Sequence, residues 1–199
     1  MKSKLILPVL STTCLLFLAC GGSKQVTKTE NQDVQPAQSE SPEWFTNVPQ
    51  DPNFLYAPAT ATSKDLQMSV NKAQQQGRLG IATVLETRFQ GLNKQFQQET
   101  GLGEQSEFAA QTTVTIKEVV STTLTGCKTK TQITKKEGEL WRAWVLMEYP
   151  IGEANAKFLQ ALKERDILRQ KVAATEAFKE LEAEVEKYEQ EKEKKNKMK

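Results

Sequence analysis

The 199-residue sequence predicts an α+β fold: a small sheet with a β-hairpin packed against one long amphipathic helix, followed by a long C-terminal helical extension. Three observations carry that expectation. Apolar residues recur at helical spacing from Leu66 to Phe96, two β-like runs flank the turn-forming stretch TKKEGE, and everything after Gly152 is charge-rich and contains neither Gly nor Pro.

In chain order, residues 1–19 read as a lipoprotein signal peptide. Lys2 and Lys4 make a basic start, and the apolar segment Leu5–Ala19, interrupted by Pro8 and Ser11-Thr12-Thr13, falls short of the roughly 20 apolar residues that span a bilayer core. Within LLFLACGGSK, the run Phe17-Leu18-Ala19-Cys20 looks like a bacterial lipobox, in which a diacylglycerol is attached to the cysteine thiol and the chain is cut just before it. Cys20 is therefore the expected lipidation point and new N-terminus, and Cys14 would leave with the peptide. Residues 20–41 form a tether of Gly, Ser, Gln, Thr, Lys, Glu and Pro with almost nothing to bury. Its reach as a flexible coil is about 25 Å.

Charge and composition narrow the function classes. The chain has 27 Lys+Arg against 25 Asp+Glu, and loss of Lys2 and Lys4 leaves 25 against 25, so no electrostatic case for nucleic acid exists. With no histidine, Ser-His and Cys-His dyads and His-ligated zinc sites are excluded, and no cofactor or metal is expected. Cys127, the one thiol left after processing and acylation, is expected to be buried as a small hydrophobe.

Residues 42–150 are the expected domain. Trp44 and Phe45, followed by Pro49 and Pro52, suggest an aromatic anchor folded back onto the core rather than a helix. Phe54–Thr62 suits a strand that Pro58 pushes to a sheet edge. Ser63 is the expected N-cap of a helix over about Lys64–Gln98, with Leu66, Val70, Ala73, Gly77, Ile81, Val84, Leu85, Phe89, Leu92 and Phe96 on its buried stripe and Gly77 and Gly80 allowing close approach to the sheet. The two glycines of GLGEQ do not make a phosphate loop, because the third glycine and a following lysine are missing and a helix precedes them. Phe108–Leu124 alternates like a strand at Val114 and Ile116, but Ile116, Val119, Val120 and Leu124 fit one helical face over the longer window; Gly126 is its expected stop. Cys127–Ile133 and Leu140–Tyr149 form a hairpin with Gly138 in the turn, and the apolar run LWRAWVLMEY belongs at the centre of the sheet, with Trp141 and Trp144 on opposite faces.

PEWF before a proline-containing loop, LYA in a strand, SKDLQMSVNKA opening a long helix and a terminal hairpin ending in an apolar strand together resemble the Lpp-twenty family of bacterial lipoproteins over Pro42–Pro150. That resemblance implies a membrane-anchored protein, typically of the Gram-negative outer membrane, acylated at the position of Cys20. It implies no catalytic residues. Where the family usually carries glycine after LY, this sequence has Ala57-Pro58-Ala59.

Residues 151–199 read as a long charged amphipathic helix with coiled-coil character. Ile167, Ala174, Phe178, Leu181, Val185 and Tyr188 keep spacings of three, four and seven, and a helix from Glu153 to Lys195 would be about 64 Å long. Phe178, Leu181, Val185 and Tyr188 are the candidate interaction residues of an arm that the domain does not cover. The functional expectation is a lipid-anchored outer-membrane protein with a non-enzymatic structural or assembly role, held to the membrane by its N-terminal lipid and meeting an envelope protein, or weakly itself, through the arm. The alternative is a module binding a small ligand or lipid between the long helix and the sheet.

Overall fold

The computed structural model describes residues 41–103 and 106–198. The expected signal peptide, Cys20 and most of the expected tether lie outside the described residues. The fold is α+β, and the described residues belong to one compact unit, Ser39–Lys199.

Three antiparallel strands, β1 (Phe54–Ser63), β2 (Lys128–Glu137) and β3 (Leu140–Pro150), lie in the order β1-β3-β2. The apolar run is central, as expected, and Pro58 sits on an edge strand opposite Leu146, where its missing N–H costs no interior ladder bond. Ala57-Pro58-Ala59 pairs continuously with Met147, Leu146 and Val145, so the strand stays regular without the family's glycine. The hairpin turn is tighter than TKKEGE suggests, because β2 runs to Glu137 and only Gly138, at φ 60°, and Glu139 connect the strands.

The long helix α2 (Leu66–Thr100) packs on β1 and β3. Asp65 caps it, accepting at Oδ1 from Met68 N at 2.7 Å, because β1 continues through Ser63, whose Oγ instead accepts from Asp65 N at 3.3 Å. Val70, Ala73, Gly77, Ile81, Leu85, Phe89 and Phe96 are buried as the stripe predicts, whereas Leu66 and Val84 face outward. The close approach at Gly77 is real. A Cβ there would overlap Met147 Cγ and stand 3.4 Å from the Ala57 carbonyl, and one at Gly80 would lie 2.9 Å from Ala57 Cβ. Gly101, at φ 69°, ends α2 as a left-handed cap, which is the role of the first glycine in GLGEQ.

Two local expectations change. Glu43–Thr46 is one turn of helix, α1, rather than irregular chain: Pro42 precedes it with φ −57°, its carbonyl accepts from Phe45 N at 2.9 Å, and Pro49 and Pro52 lie beyond its end. It packs on β1 and β3 with Trp44 and Phe45 half-buried. The segment after α2 is the expected helix, α3 (Glu107–Leu124), capped at its start by Ser106 Oγ and at its end by Thr125 rather than by the expected glycine stop at Gly126.

The largest correction concerns residues 151–199. They form three helices, α4 (Ile151–Lys163), α5 (Asp166–Val172) and α6 (Glu176–Lys197), which fold back onto α2 and α3. No coiled-coil seam exists along them. Ile167 and Ala174 are exposed, while Leu168 and Val172 between them are fully buried, so the heptad spacing does not describe the packed face. Phe178, Leu181 and Val185, placed on an uncovered arm by the sequence, belong to the same apolar cluster as Ile81, Phe89 and Phe158. The Phe89 and Phe158 rings stack at 4.3 Å. The core thus does not close at Pro150, and the boundary expected there does not separate two bodies.

Why the helix breaks is visible in its caps. Thr175 Oγ1 accepts from Phe178 N at 3.3 Å and donates to the Val172 carbonyl at 2.6 Å, restarting the chain as α6. Glu99, at the end of α2, receives Glu176 N at 2.5 Å and Ala177 N at 3.2 Å on its two carboxylate oxygens, so a charge from a distant helix satisfies the positive end of α6.

Candidate functional site

The residues that bring α6 against the rest of the fold also shape a cleft beside it. Arg88 on α2 donates through Nη2 to Glu184 Oε2 at 2.8 Å and through Nε to Asn155 Oδ1 at 3.3 Å. Asn155 on α4, only 2% exposed, donates from Nδ2 to the same Glu184 oxygen at 2.8 Å. Three helices far apart in sequence are joined by these bonds, and the buried amide is satisfied at both of its ends.

One turn beyond Glu184, α6 crosses the start of α4. Gly152 is needed there: a Cβ would overlap Tyr188 Cγ and Cδ2 and lie 2.7 Å from Tyr188 Cβ. With the ring set against the Gly152 backbone, Tyr188 divides two neighbouring concavities. One, of about 220 Å³, has Phe54, Pro150 and Tyr188 as its apolar floor and Lys192, Lys195 and Asn196 at its rim. The other, of about 160 Å³, lies over Asn155, Glu184 and Lys187. Burial, aided by the nearby Glu153 charge, raises the Tyr188 phenol above its ordinary pKa. The hydroxyl is thus a neutral hydrogen-bonding group at neutral pH, and the cleft can hold a small apolar group beside polar ones.

A second polar cluster lies where β3 enters α4. Tyr149 Oη donates to Glu153 Oε1 at 3.0 Å and accepts from Lys157 Nζ at 2.9 Å, and Lys157 also pairs with Glu153 at 3.3 Å. Burial raises the Tyr149 pKa, with the Lys157 hydrogen bond opposing it. For Lys157 burial pulls downward, but the hydrogen bond to Tyr149 and the pair with Glu153 outweigh it and the net shift is upward. Close by, Cys127 is buried as expected, with Sγ 3.7 Å from the Thr123 carbonyl. Burial raises its thiol pKa against the opposing charges of Arg78 and Lys157, which keeps it protonated and unreactive.

The structure thus separates the sequence candidates. Cys20 lies outside the described residues. Phe178, Leu181 and Val185 are core, not surface, and only Tyr188 of that set reaches a cleft. Trp144 is buried and Trp141 half-exposed, with Lys136 Nζ 5.7 Å from the Trp141 ring centroid, in keeping with their expected places on opposite faces of the strand. Asn53, which lines both concavities, and Asn155 carry no signal in the sequence, where Gly152 marks only the start of the charged extension. Among the described residues no cluster of three or more Cys, Asp or Glu could hold a metal, and no helix is long and apolar enough to cross a membrane. Compared with protein-family models, curated proteins and solved structures, the chain matches none. The Lpp-twenty resemblance therefore rests on the quoted sequence stretches alone.

Proposed function

We propose that this protein is a lipid-anchored component of the bacterial outer membrane, attached through acylated Cys20 and acting through surface contacts rather than catalysis. The observation that carries the reading is the run Phe17-Leu18-Ala19-Cys20 at the end of an apolar segment too short to span a bilayer, with polar residues following at once. Gly21 after the cysteine favours export to the outer membrane under the sorting rule of enteric bacteria.

The interior favours a contact protein over a ligand carrier. Where a carrier would hold its ligand, between α2 and the sheet, the backbone at Gly77 meets Met147 and that at Gly80 meets Ala57 in direct contact. The apolar cleft at Tyr188, about 220 Å³, is smaller than the about 300–1,000 Å³ usual for ligand pockets, and the larger concavities, of about 360, 370 and 470 Å³, are lined mainly by charged and polar side chains such as Glu99, Lys171, Glu118, Glu164 and Lys94.

Replacing Cys20 with serine tests the anchor. The expected outcome is release of the protein from the membrane fraction and loss of labelling by a fatty-acid probe, since stable attachment needs two or more acyl chains. A wild-type protein that takes no label, with a variant that stays on the membrane, would overturn the proposal.

A further inference from the structure

β2 is unusual in its surroundings. All of its ten residues except Thr131 and Glu137 are exposed, because α2 lies over β1 and β3 and leaves β2 overhanging. Its outer edge pairs with no strand among the described residues, so a row of backbone N–H and C=O groups faces outward. Its sequence, KTKTQITKKE, has four lysines against one glutamate. The one acid, Glu137, is held by Arg142 Nε at 2.7 Å, and Lys130 is turned inward, donating to Tyr56 Oη at 2.7 Å with Glu148 3.8 Å away, so the excess of positive charge at the edge comes from the ends of the strand, Lys128 and the pair Lys135-Lys136.

The geometry points to β2 as a docking edge for an extended acidic segment of another protein, which would add a fourth strand to the sheet by backbone pairing. Charge selects this occupant over a second copy of the chain. Antiparallel pairing of two β2 strands about Gln132 places Lys128 opposite Lys136, and pairing half a residue further along places Lys130 opposite Lys135; like charges directly opposite oppose such a ladder. The same lysines favour a partner strand carrying carboxylates. Lys135 and Lys136 are adjacent and so project to opposite faces of the sheet, and a docked strand would meet positive charge on both sides. The bulge between Thr129 and Thr131 marks one limit of the regular edge and the Gly138 turn the other. Affinity in this mode comes from main-chain bonds and selectivity from side-chain charge.

The inference names the partner class for the contact role proposed above, but its test needs no membrane, so failure of the anchor and failure of the edge are distinguishable. The full-length Cys20→Ser chain, purified in solution, is titrated with a labelled, capped octapeptide alternating glutamate with threonine and valine. A second peptide of the same sequence has its two central amides N-methylated, which blocks both of its edges. The expected result is binding of the first peptide only, with slowed amide exchange confined to residues 128–137 and an affinity loss of about tenfold in Lys135→Glu/Lys136→Glu. No measurable binding, equal binding of the N-methylated peptide, an undiminished affinity in the double variant, or protection elsewhere would each overturn the inference.

Discussion

Replacing Phe178 with alanine distinguishes a core helix from a solvated arm. Phe178 is 3% exposed and shares its apolar cluster with Leu162, Leu181 and Phe89. Truncating a phenylalanine so placed loses its burial and leaves a cavity, for a cost of about 3–5 kcal/mol. In a folded unit of this size each kcal/mol shifts the midpoint by about 2–4 °C, so the variant should melt about 6–20 °C below the parent. Ile167 is the internal control. On a heptad seam it would be equivalent to Phe178, but it is 47% exposed, and Ile167→Ala should change stability by no more than about 0.5 kcal/mol. Thermal melts followed by circular dichroism, with urea titration in parallel, read both values. If Phe178→Ala melts with the parent, or if the two variants are equally affected, α6 is not part of the core and the packing described above is wrong.

Three further outcomes are expected. Glu99→Ala, which removes the carboxylate from the start of α6, should cost about 0.5–2 kcal/mol in urea unfolding, while Glu99→Gln, which keeps an acceptor, should cost less. Gly152→Ala should force the Tyr188 ring away from α4 and speed amide exchange in α6 beyond Glu184, with β2 and β3 unaffected. Finally, stability should fall as pH rises. Burial keeps Cys127 and Tyr149 protonated beyond the ordinary values of 9.0 and 10.0 at which the unfolded chain loses those protons, and Lys157, raised on balance, acts in the same sense. The folded state therefore binds more protons above about pH 9, and its advantage shrinks from there upward. Urea midpoints from pH 7 to 11 should be flat and then decline, the decline should be shallower in Cys127→Ala, and a thiol reagent should modify Cys127 quickly only after urea is added.

What could be read locally was read from local signals. The alternation in LWRAWVLMEY and the glycine at 138 specify the hairpin, and the stripe from Val70 to Phe96 specifies α2 and the face it buries. The extension was misread because its breaks carry no Gly or Pro. Its last helix starts at Thr175, an ordinary residue in a charged run, and is capped by Glu99, 77 residues before the amide it receives. No window along the chain contains both partners of that cap. The cleft was hidden for the same reason, since Gly152 meets Tyr188 only once α6 has folded back, and the heptad spacing of Ile167, Phe178 and Tyr188 is indifferent to which of them faces inward. Exposure of β2 was legible only in part: Lys128 and Lys130 alternating with Thr129, Thr131 and Ile133 read as a half-solvated strand, whereas Ile133 is exposed too, because α2 lies over β1 and β3.

The bonds joining Arg88, Asn155 and Glu184 have a consequence for when this chain acquires its structure. They connect residues 67, 96 and 29 positions apart, and the cluster around Phe89 and Phe158 includes side chains as late in the sequence as Val185. A growing chain in which those residues have yet to emerge has no counterpart for the apolar faces of α2 and α4. Order should therefore set in late and together, after the stretch around Val185 has been released, rather than helix by helix behind the ribosome. Under the export proposed above, that delay would keep the polypeptide extended during passage and defer collapse to the far side.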